Sequence, residues 1–332
     1  MALSYQRVVL ASRPRGEVQA DNFRLETATL PALQDGEVCV RNQFLSLDPY
    51  MRGRMSAAKS YAASQELEQT MIGGTAGQVM ASRHPKFAEG DAVVGLLGWA
   101  EMGVAHGNAL RKVDTSAIPL SAYLGVAGMP GMAAWYGLNH IMHAREGETV
   151  LVSAASGAVG SVLGQLAKLR GCRAVGIAGG PEKCAYVVDE LGFDACVDYK
   201  GGNLLADLAA ATPNGVDALF ENVGGAVFDA SLSRMNDFGR IAVCGLISGY
   251  SGAPVPIHNI GALLIKRISL RGFIVTEHLD CWPQGLQELA ALVAAGKLKY
   301  RETVAPNLAS APDAFIGLLK GQNFGKQLVR LM

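Results

Sequence analysis

The sequence predicts an α/β protein in which a β-rich domain precedes a domain built on a doubly wound parallel sheet. Its 332 residues are enough for about two domains. Residues 1 to about 125 contain short strand-like runs separated by turns and prolines, which is typical of a β-rich domain. From about residue 126, strands alternate with helices, and this alternation predicts a parallel sheet with helices on both faces.

The elements follow in order along the chain. In the first part, the runs 36–42 and 90–96 are examples of the predicted strands. The alternating part has a strand at 150–154, a helix at 161–170, a strand at 173–177 and a helix at 181–191. Further predicted elements are strands at 195–198, 217–221, 240–244 and 270–275, helices at 284–295 and 311–320, and a last strand at 327–331. We expect the tail to return to the first domain, which gives one domain from 1–125 with 300–332 and another from 126–299.

Composition excludes several classes of function. Lys+Arg and Asp+Glu both number 29, so there is no basic excess to suggest binding of nucleic acid. The first 18 residues lack the apolar core of a signal peptide, and no apolar run approaches the 18 or so residues of a membrane span. The six cysteines are scattered without a C-x-x-C pair, which favours reduced thiols in a cytoplasmic protein.

The turn after the strand at 150–154 is the strongest local indication of a ligand. Ala155, Gly157 and Gly160 occupy the three positions of the G-x-G-x-x-G pattern, with alanine at the first. In a strand–turn–helix unit, the backbone amides at the helix N-terminus and the helix dipole together favour the pyrophosphate of a dinucleotide. Close packing of a helix on a strand also requires small residues, so the turn alone leaves both interpretations open.

The end of the second strand of this unit indicates which dinucleotide binds. A carboxylate there would hold a ribose 2′-hydroxyl and favour NAD, but this strand ends at Gly179-Gly180 without an acid. Lys183 follows on the next helix, where it suits the 2′-phosphate of NADP. Lys183 as a solvated surface residue is the alternative, and the neighbouring Glu182 opposes a phosphate.

Several ordered segments make the chain resemble a known family. They lie at residues 45–52, 128–131, 156–160, 220–225, 244–250, 272–275 and 321–326. With them the chain resembles the zinc-independent branch of the medium-chain dehydrogenase/reductase superfamily. Within that branch it resembles the leukotriene B4 12-hydroxydehydrogenase/prostaglandin reductase family, which includes alkenal double-bond reductases and curcumin-reductase-like enzymes. The resemblance implies a GroES-like β-rich catalytic domain joined to a Rossmann domain.

The resemblance also implies roles for individual residues, with NADPH as the cofactor. Residues 157–160 would cradle the pyrophosphate, Lys183 and Tyr199 would hold the 2′-phosphate, and Asn222 would lie near a ribose. Residues 244–250 would form the loop over the nicotinamide, and residues 273–275 would offer backbone groups to its carboxamide. Asn323 would close over the cofactor from the tail. The full set of cofactor-binding candidates is Gly157, Ala158, Val159, Gly160, Lys183, Tyr199, Asn222, Cys244, Gly245, Ile247, Ser248, Tyr250, Phe273, Ile274, Val275 and Asn323.

Two local features depart from what we expect of relatives. The segment after Gly131 contains Met132 and Trp135 in place of the usual Thr-Ala-Tyr, and Ser251 follows Tyr250 where asparagine is usual. Both changes border the expected substrate side. Zinc-dependent relatives have a Gly-His-Glu segment where this chain has residues 73–75 (Gly-Gly-Thr), and the histidines are dispersed, so we expect no metal site.

Without a Lewis acid, oxidation of an alcohol is harder, and reduction of an activated C=C bond fits better. Hydride from NADPH would reach the β-carbon of an enone or enal, and a hydrogen-bond donor would stabilise the enolate oxygen. Tyr250 is the first candidate for that donor, and Tyr50 is the second. Each tyrosine has an alternative role as a rim residue that only packs on substrate.

Two other functions remain open from the sequence. One is an NADPH:quinone oxidoreductase, because quinones are also conjugated carbonyls. The other is a nucleotide-binding redox sensor without catalysis. The expected partner is a small α,β-unsaturated carbonyl compound or a quinone, with no nucleic acid and no membrane. The family also implies a homodimer, formed through the edge strand near residues 270–275.

Overall fold

The computed structural model describes residues 3–252 and 254–332. These residues divide into two compact units. The first contains the chain up to Gly125 together with Glu302–Met332, and the second contains Val126–Arg301. Each unit is described by itself below.

The strands and helices are numbered in chain order. The strands are β1 (Ser4–Leu10), β2 (Phe23–Thr29), β3 (Glu37–Ser46), β4 (Thr75–Ser82), β5 (Ala92–Gly95), β6 (Met102–His106), β7 (Arg111–Lys112), β8 (Thr149–Ser153), β9 (Arg173–Ala178), β10 (Ala195–Asp198), β11 (Val216–Glu221), β12 (Met235–Val243), β13 (Ser269–Gly272), β14 (Glu302–Ala305) and β15 (Lys326–Arg330). The α-helices are α1 (Tyr50–Arg54), α2 (Met129–Tyr136), α3 (Gly160–Leu169), α4 (Pro181–Ala185), α5 (Leu204–Ala211), α6 (Gly225–Arg234), α7 (Gly261–Ile265), α8 (Trp282–Ala294) and α9 (Ala311–Leu319).

The first unit is built on a mixed sheet with the strand order β14-β15-β3-β4-β5-β7, and β6 also pairs with β3. All of its recorded pairings are antiparallel except that of β14 with β15. The core of this unit forms around Trp99, which is fully buried and stacks on Phe23 at 5.2 Å between ring centroids. Phe315 of α9 meets the Trp99 ring edge-on at 5.6 Å, so the C-terminal tail supplies part of this core.

The second unit is a parallel sheet with the strand order β10-β9-β8-β11-β12-β13. The buried strand β8 lies at its centre, and helices pack against the sheet. Chain order reverses between β8 and β11, and in such sheets ligands bind outside the carboxyl ends of the strands at this point. The predicted fold class, a β-rich domain plus a doubly wound parallel sheet, is confirmed.

Three predicted elements differ from the structure in their bounds. Strand β13 ends at Gly272 and not at residue 275. Its pairing with β12 stops there, and a 3₁₀ turn begins at Val275. The helix predicted over 181–191 consists of the short α4 followed by a π-helical turn at Tyr186–Glu190. Strand β12 begins at Met235, five residues before the predicted start, with an irregularity in its pairing to β11. Within the described ranges, no helix combines the length and apolar character needed to cross a membrane.

Candidate active site

The glycine turn lies at the carboxyl end of β8, at the point where strand order reverses. Ala154 adopts a positive φ of 51°, and the amide of Gly157 donates to its carbonyl oxygen at 2.9 Å. A Cβ on Gly160 would lie 2.4 Å from that same carbonyl, so only glycine fits at the first residue of α3. The tight turn therefore places the backbone amides at the N-terminus of α3 beside the end of β8. A pyrophosphate binds to such amides.

A basic group of residues lies at the ends of β9 and β10. A Cβ on Gly179 would lie 2.8 Å from the Tyr199 ring and 3.1 Å from Cε of Lys200, so glycine lets these side chains lie over the end of β9. Asp198 supports the arrangement, since its Oδ1 accepts hydrogen bonds from the amides of Gly180 at 2.7 Å and Lys200 at 2.9 Å. Burial and, after it, the nearby charge of Lys200 lower the pKa of Lys183.

These residues fit the 2′-phosphate of NADP. Lys183 and Lys200 are like charges close enough for one to lower the pKa of the other, and an anion between them would relieve the repulsion. The strand-end position that carries an acid in NAD-binding sheets is Gly179-Gly180 here. Lys183 and Tyr199 were predicted from the sequence as ligands of this phosphate, whereas Lys200 was not. The sequence signal for Lys200 was its position directly after Tyr199.

Asn222 links the ends of the two central strands. Its backbone amide donates to Ser153 Oγ at 2.7 Å, and its Nδ2 donates to the Ser153 carbonyl oxygen at 2.8 Å. The residue is thus held at the carboxyl edge between β8 and β11. Asn222 therefore does more than form a turn before Gly224-Gly225, because it also ties the end of β11 to the end of β8.

Glu221 is a second residue that the sequence reasoning missed. It is fully buried, and its Oε1 accepts hydrogen bonds from the amides of Val223 at 2.5 Å and Gly224 at 2.6 Å. Burial raises the pKa of Glu221, while these amide donors oppose the rise. The carboxyl group therefore fixes the turn that follows Asn222, and an acid three residues before the pair Gly224-Gly225 was the sequence signal.

The loop after β12 packs against this turn. The amide of Ile247 donates to the Asn222 carbonyl at 3.1 Å, and both the amide and the hydroxyl of Ser248 donate to the Val223 carbonyl. A Cβ on Gly245 would lie 3.1 Å from the hydroxyl oxygen of Tyr250 and 3.5 Å from the Asn222 carbonyl oxygen. Gly245 therefore lets the Tyr250 hydroxyl fold back toward the end of β11. Cys244 is half-buried in the same loop, and burial raises its pKa to about 12.

Residues 273–275 lie directly after the edge strand β13, and part of this segment belongs to the core. Phe273 is buried and packs on Tyr136 at 5.6 Å and on Phe220 at 6.2 Å between ring centroids. The carbonyl oxygen of Val275 accepts a hydrogen bond from Trp282 Nε1 at 3.1 Å. Ile274 lies between them in an extended conformation. The Phe273 side chain is thus core, and the segment leaves the sheet directly after the carboxyl end of β13.

Tyr50 and Asn323 belong to the first unit. Tyr50 begins α1 and packs against the core of that unit, where burial and then the charge of Asp48 raise its pKa, so its hydroxyl stays protonated. Asp48 accepts a hydrogen bond from Ser46 and pairs with the buried Lys326, whose Nζ lies 2.8 Å from its Oδ1. Asn323 Nδ2 donates to the Gly325 carbonyl at 2.9 Å.

The second unit therefore brings most of the predicted residues to one edge of its sheet. Gly157, Gly160 and Asn222 follow the two central strands where strand order reverses, and the Tyr250 loop packs against Asn222 and Val223. Tyr199 directly follows β10, and Lys183 lies in α4, the helix after the neighbouring strand β9. In residues 3–252 and 254–332, no group of three or more histidine, cysteine or acidic side chains is arranged to hold a metal ion.

Comparisons with known proteins show which family the chain is similar to. Two family models match the chain. The one described as "N-terminal domain of oxidoreductase" matches residues 6–113, and the one described as "Zinc-binding dehydrogenase" matches residues 158–291.

Individual relatives match over nearly the full length. The NADPH-dependent curcumin reductase of Escherichia coli is 44% identical, with 98% of this chain and 96% of the relative covered. The NADP⁺-dependent 2-alkenal reductase of Nicotiana tabacum is 40% identical, with 98% and 97% covered. The crystal structure of CurA from Vibrio vulnificus in complex with NADPH is 44% identical, with 98% and 99% covered and a TM-score of 0.94.

Proposed function

The chain belongs to the zinc-independent branch of the medium-chain dehydrogenase/reductase family, and we infer that it reduces the C=C bond of α,β-unsaturated carbonyl compounds with NADPH. The observation that carries this inference is the single sheet edge that joins a glycine turn, a basic group and the Tyr250 loop. A 2-alkenal, the substrate class in the name of one relative, contains the conjugated C=C–C=O unit that this chemistry needs.

The residues of the second unit hold the cofactor in this proposal. The amides of residues 157–160 bind the pyrophosphate at the N-terminus of α3, and Asn222 contacts a ribose. Lys183, Lys200 and Tyr199 hold the 2′-phosphate, which gives the preference for NADPH over NADH. When bound, NADPH supplies the hydride for the β-carbon of the substrate.

Tyr250 is the proposed hydrogen-bond donor to the substrate carbonyl. Negative charge grows on that oxygen as the β-carbon is reduced, and a fixed hydroxyl stabilises it. The support is the position of Tyr250 in the loop that packs on Asn222 at the carboxyl edge. Residues 244–248 hold this loop, and residues 273–275 are proposed to face the carboxamide.

The first unit is proposed to be the substrate domain, and the second the NADP-binding domain. Tyr50 is its candidate second donor, supported by the burial that keeps the hydroxyl protonated. Asn323 is proposed to close over the cofactor from the C-terminal tail. The departure at Ser251 is proposed to alter which substrates are accepted, whereas Met132 and Trp135 are buried and pack against α8.

We also propose a cytoplasmic homodimer that forms through the edge strand β13. All four residues of this strand are exposed, and exposed apolar side chains lie nearby at Leu264 and Ile265. An exposed strand edge of this kind is normally covered by another chain or element. Light scattering coupled to size exclusion should give twice the chain mass, and Leu270→Lys should shift the protein toward monomer.

A direct assay tests the proposed reaction. Purified protein is mixed with NADPH and either a 2-alkenal or a quinone, and cofactor absorbance is followed while products are identified. We expect the saturated aldehyde from the 2-alkenal. Turnover of the quinone alone would indicate an NADPH:quinone oxidoreductase, and no turnover of either compound would indicate a non-catalytic nucleotide-binding protein.

A further inference from the structure

A pair of cysteines lies beside the basic group. Cys196 Sγ donates a hydrogen bond to Cys184 Sγ at 3.2 Å, and both residues are half-buried free thiols. A disulfide bond needs a separation of about 2.05 Å, so the two sulfur atoms would have to approach by only about 1.2 Å.

The two cysteines lie on the elements that carry the proposed 2′-phosphate ligands. Cys184 directly follows Lys183 in α4, and Cys196 lies on β10, three residues before Tyr199. A Cβ on Gly176 of β9 would lie 3.3 Å from Cys196 Sγ, so this sulfur is packed on the neighbouring strand. A covalent link between the cysteines would therefore pull α4 toward β10 and shift Lys183, which directly precedes Cys184.

We propose that Cys184 and Cys196 are a redox modification site, where a hydroperoxide forms a reversible disulfide that weakens NADPH binding. The thiol chemistry stands independently of the enzymatic reaction, whereas the effect on NADPH rests on the proposed function. The modification would reduce the preference for NADPH over NADH, because only the 2′-phosphate distinguishes the two cofactors at this place.

The oxidation needs one hydroperoxide per pair. The Cys184 thiolate attacks the hydroperoxide, the O–O bond breaks, and Cys184 becomes a sulfenic acid while the alkoxide leaves as an alcohol after taking a proton. Cys196 then attacks the Cys184 sulfur, the S–S bond forms, and the hydroxyl group leaves as water with the Cys196 proton. Two thiols and one hydroperoxide thus give one disulfide, one alcohol and one water.

Cys184 is the first thiol to react in this scheme. Burial raises the pKa of both thiols, and the carboxylate of Asp198 raises both further. The hydrogen bond that Cys196 donates lowers the pKa of Cys184 and raises that of Cys196, so Cys184 ionises more easily. We therefore expect the rate of oxidation to rise as the pH is raised above neutrality.

Peptide mapping tests the modification without any measurement of turnover. The full chain is treated with hydrogen peroxide, alkylated and digested with trypsin, which releases both cysteines in one peptide, 184–200. We expect the peptide to lose two hydrogens and take up no alkyl group. Cleavage after Glu190 should then give two fragments that separate only on reduction. A peptide that still takes up two alkyl groups would overturn the proposal.

Cofactor titration tests the consequence. Peroxide should raise the Kd for NADPH about tenfold, on the scale of one charge-assisted hydrogen bond, with little change for NADH, and dithiothreitol should reverse the effect. Cys184→Ala and Cys196→Ala should each abolish the response, while Cys281→Ala, a matched control away from this pair, should retain it. A disulfide that leaves the Kd for NADPH unchanged would also overturn the proposal. An inactive protein with these responses would contradict only the enzymatic function.

Discussion

At the residue scale, the hydroxyl of Tyr250 carries the largest proposed share of catalysis. Its loop is fixed by hydrogen bonds to Asn222 and Val223, so the hydroxyl needs little reorganisation when charge develops on a substrate oxygen. Tyr250→Phe should lower kcat for a 2-alkenal about a hundredfold, the scale of one lost oxyanion donor.

The controls for Tyr250 separate its role from that of Tyr50. Tyr250→Phe should leave the Kd for NADPH unchanged. The control variant Tyr5→Phe, on the first strand, should change neither the Kd for NADPH nor kcat. Unchanged turnover in Tyr250→Phe together with a large loss in Tyr50→Phe would transfer the donor role to Tyr50.

Lys183 and Lys200 determine the choice of cofactor in this account. Lys183→Met and Lys200→Met should each raise the KM for NADPH about tenfold, because each removes one charge-assisted contact to the 2′-phosphate. The KM for NADH should stay the same. Lys297→Met, at an exposed position in the same unit, is the matched control and should change neither constant. Equal losses with both cofactors would contradict the assignment.

The depressed pKa of Lys183 gives a pH dependence with a defined sign. The protonated ammonium binds phosphate, so the KM for NADPH should rise as the pH approaches the lowered pKa of Lys183 from below. Lys200→Met removes a like charge and raises that pKa, so the rise should move to higher pH. The ratio of the KM values for NADPH and NADH, measured from about pH 7 to about pH 10, reports this shift.

Single residues could be named from the sequence where the family pattern or a strand end marked them, and their roles stay predictions. Tyr199 follows β10 and its ring lies beside Gly179, while Lys183 lies in α4 near the charge of Lys200. Lys200 and Glu221 were not predicted, because their significance depends on tertiary contacts. Lys200 matters through its charge near Lys183, and Glu221 through its burial against two backbone amides.

At the scale of elements, the junction of β8 and α3 is the most constrained point. Gly160→Ala would place a Cβ 2.4 Å from the Ala154 carbonyl oxygen, a backbone atom that cannot move without opening the turn. We expect a loss of about 1–3 kcal/mol in stability and weaker binding of NADPH. Gly261→Ala, whose Cβ would meet nothing within 4 Å, is the control and should change little. Thermal melts with and without NADPH measure both effects.

Strands buried in the sheet were predicted well because a short apolar run between turn residues is typical of a buried strand. Residues 150–154 and 217–221 correspond closely to β8 and β11. The edge strand was predicted too long: the pairing of β13 with β12 ends at Gly272, and the Phe273 ring beyond it is buried against Tyr136 and Phe220. The early start of β12 could not be predicted, because Asn236 and Asp237 interrupt its apolar residues and Phe238 adopts a positive φ of 61°.

At the scale of the whole molecule, each unit has a core of its own. The first depends on Trp99, Phe23 and Phe315, so the last 31 residues are needed to complete it. The second depends on the parallel sheet and its helices. The order of these parts was predicted from the change near residue 126, where short strand-like runs give way to alternating strands and helices. The catalytic roles of the two units are proposals.

The central claim is that hydride from NADPH reaches the β-carbon of an unsaturated carbonyl compound. The most direct test incubates the protein with NADPH that carries deuterium in the transferable position and with a 2-alkenal, and then locates the label in the product. The account predicts the saturated aldehyde with deuterium at C3. Deuterium at C1 of an unsaturated alcohol would contradict it, because the carbonyl group and not the C=C bond would then have been reduced.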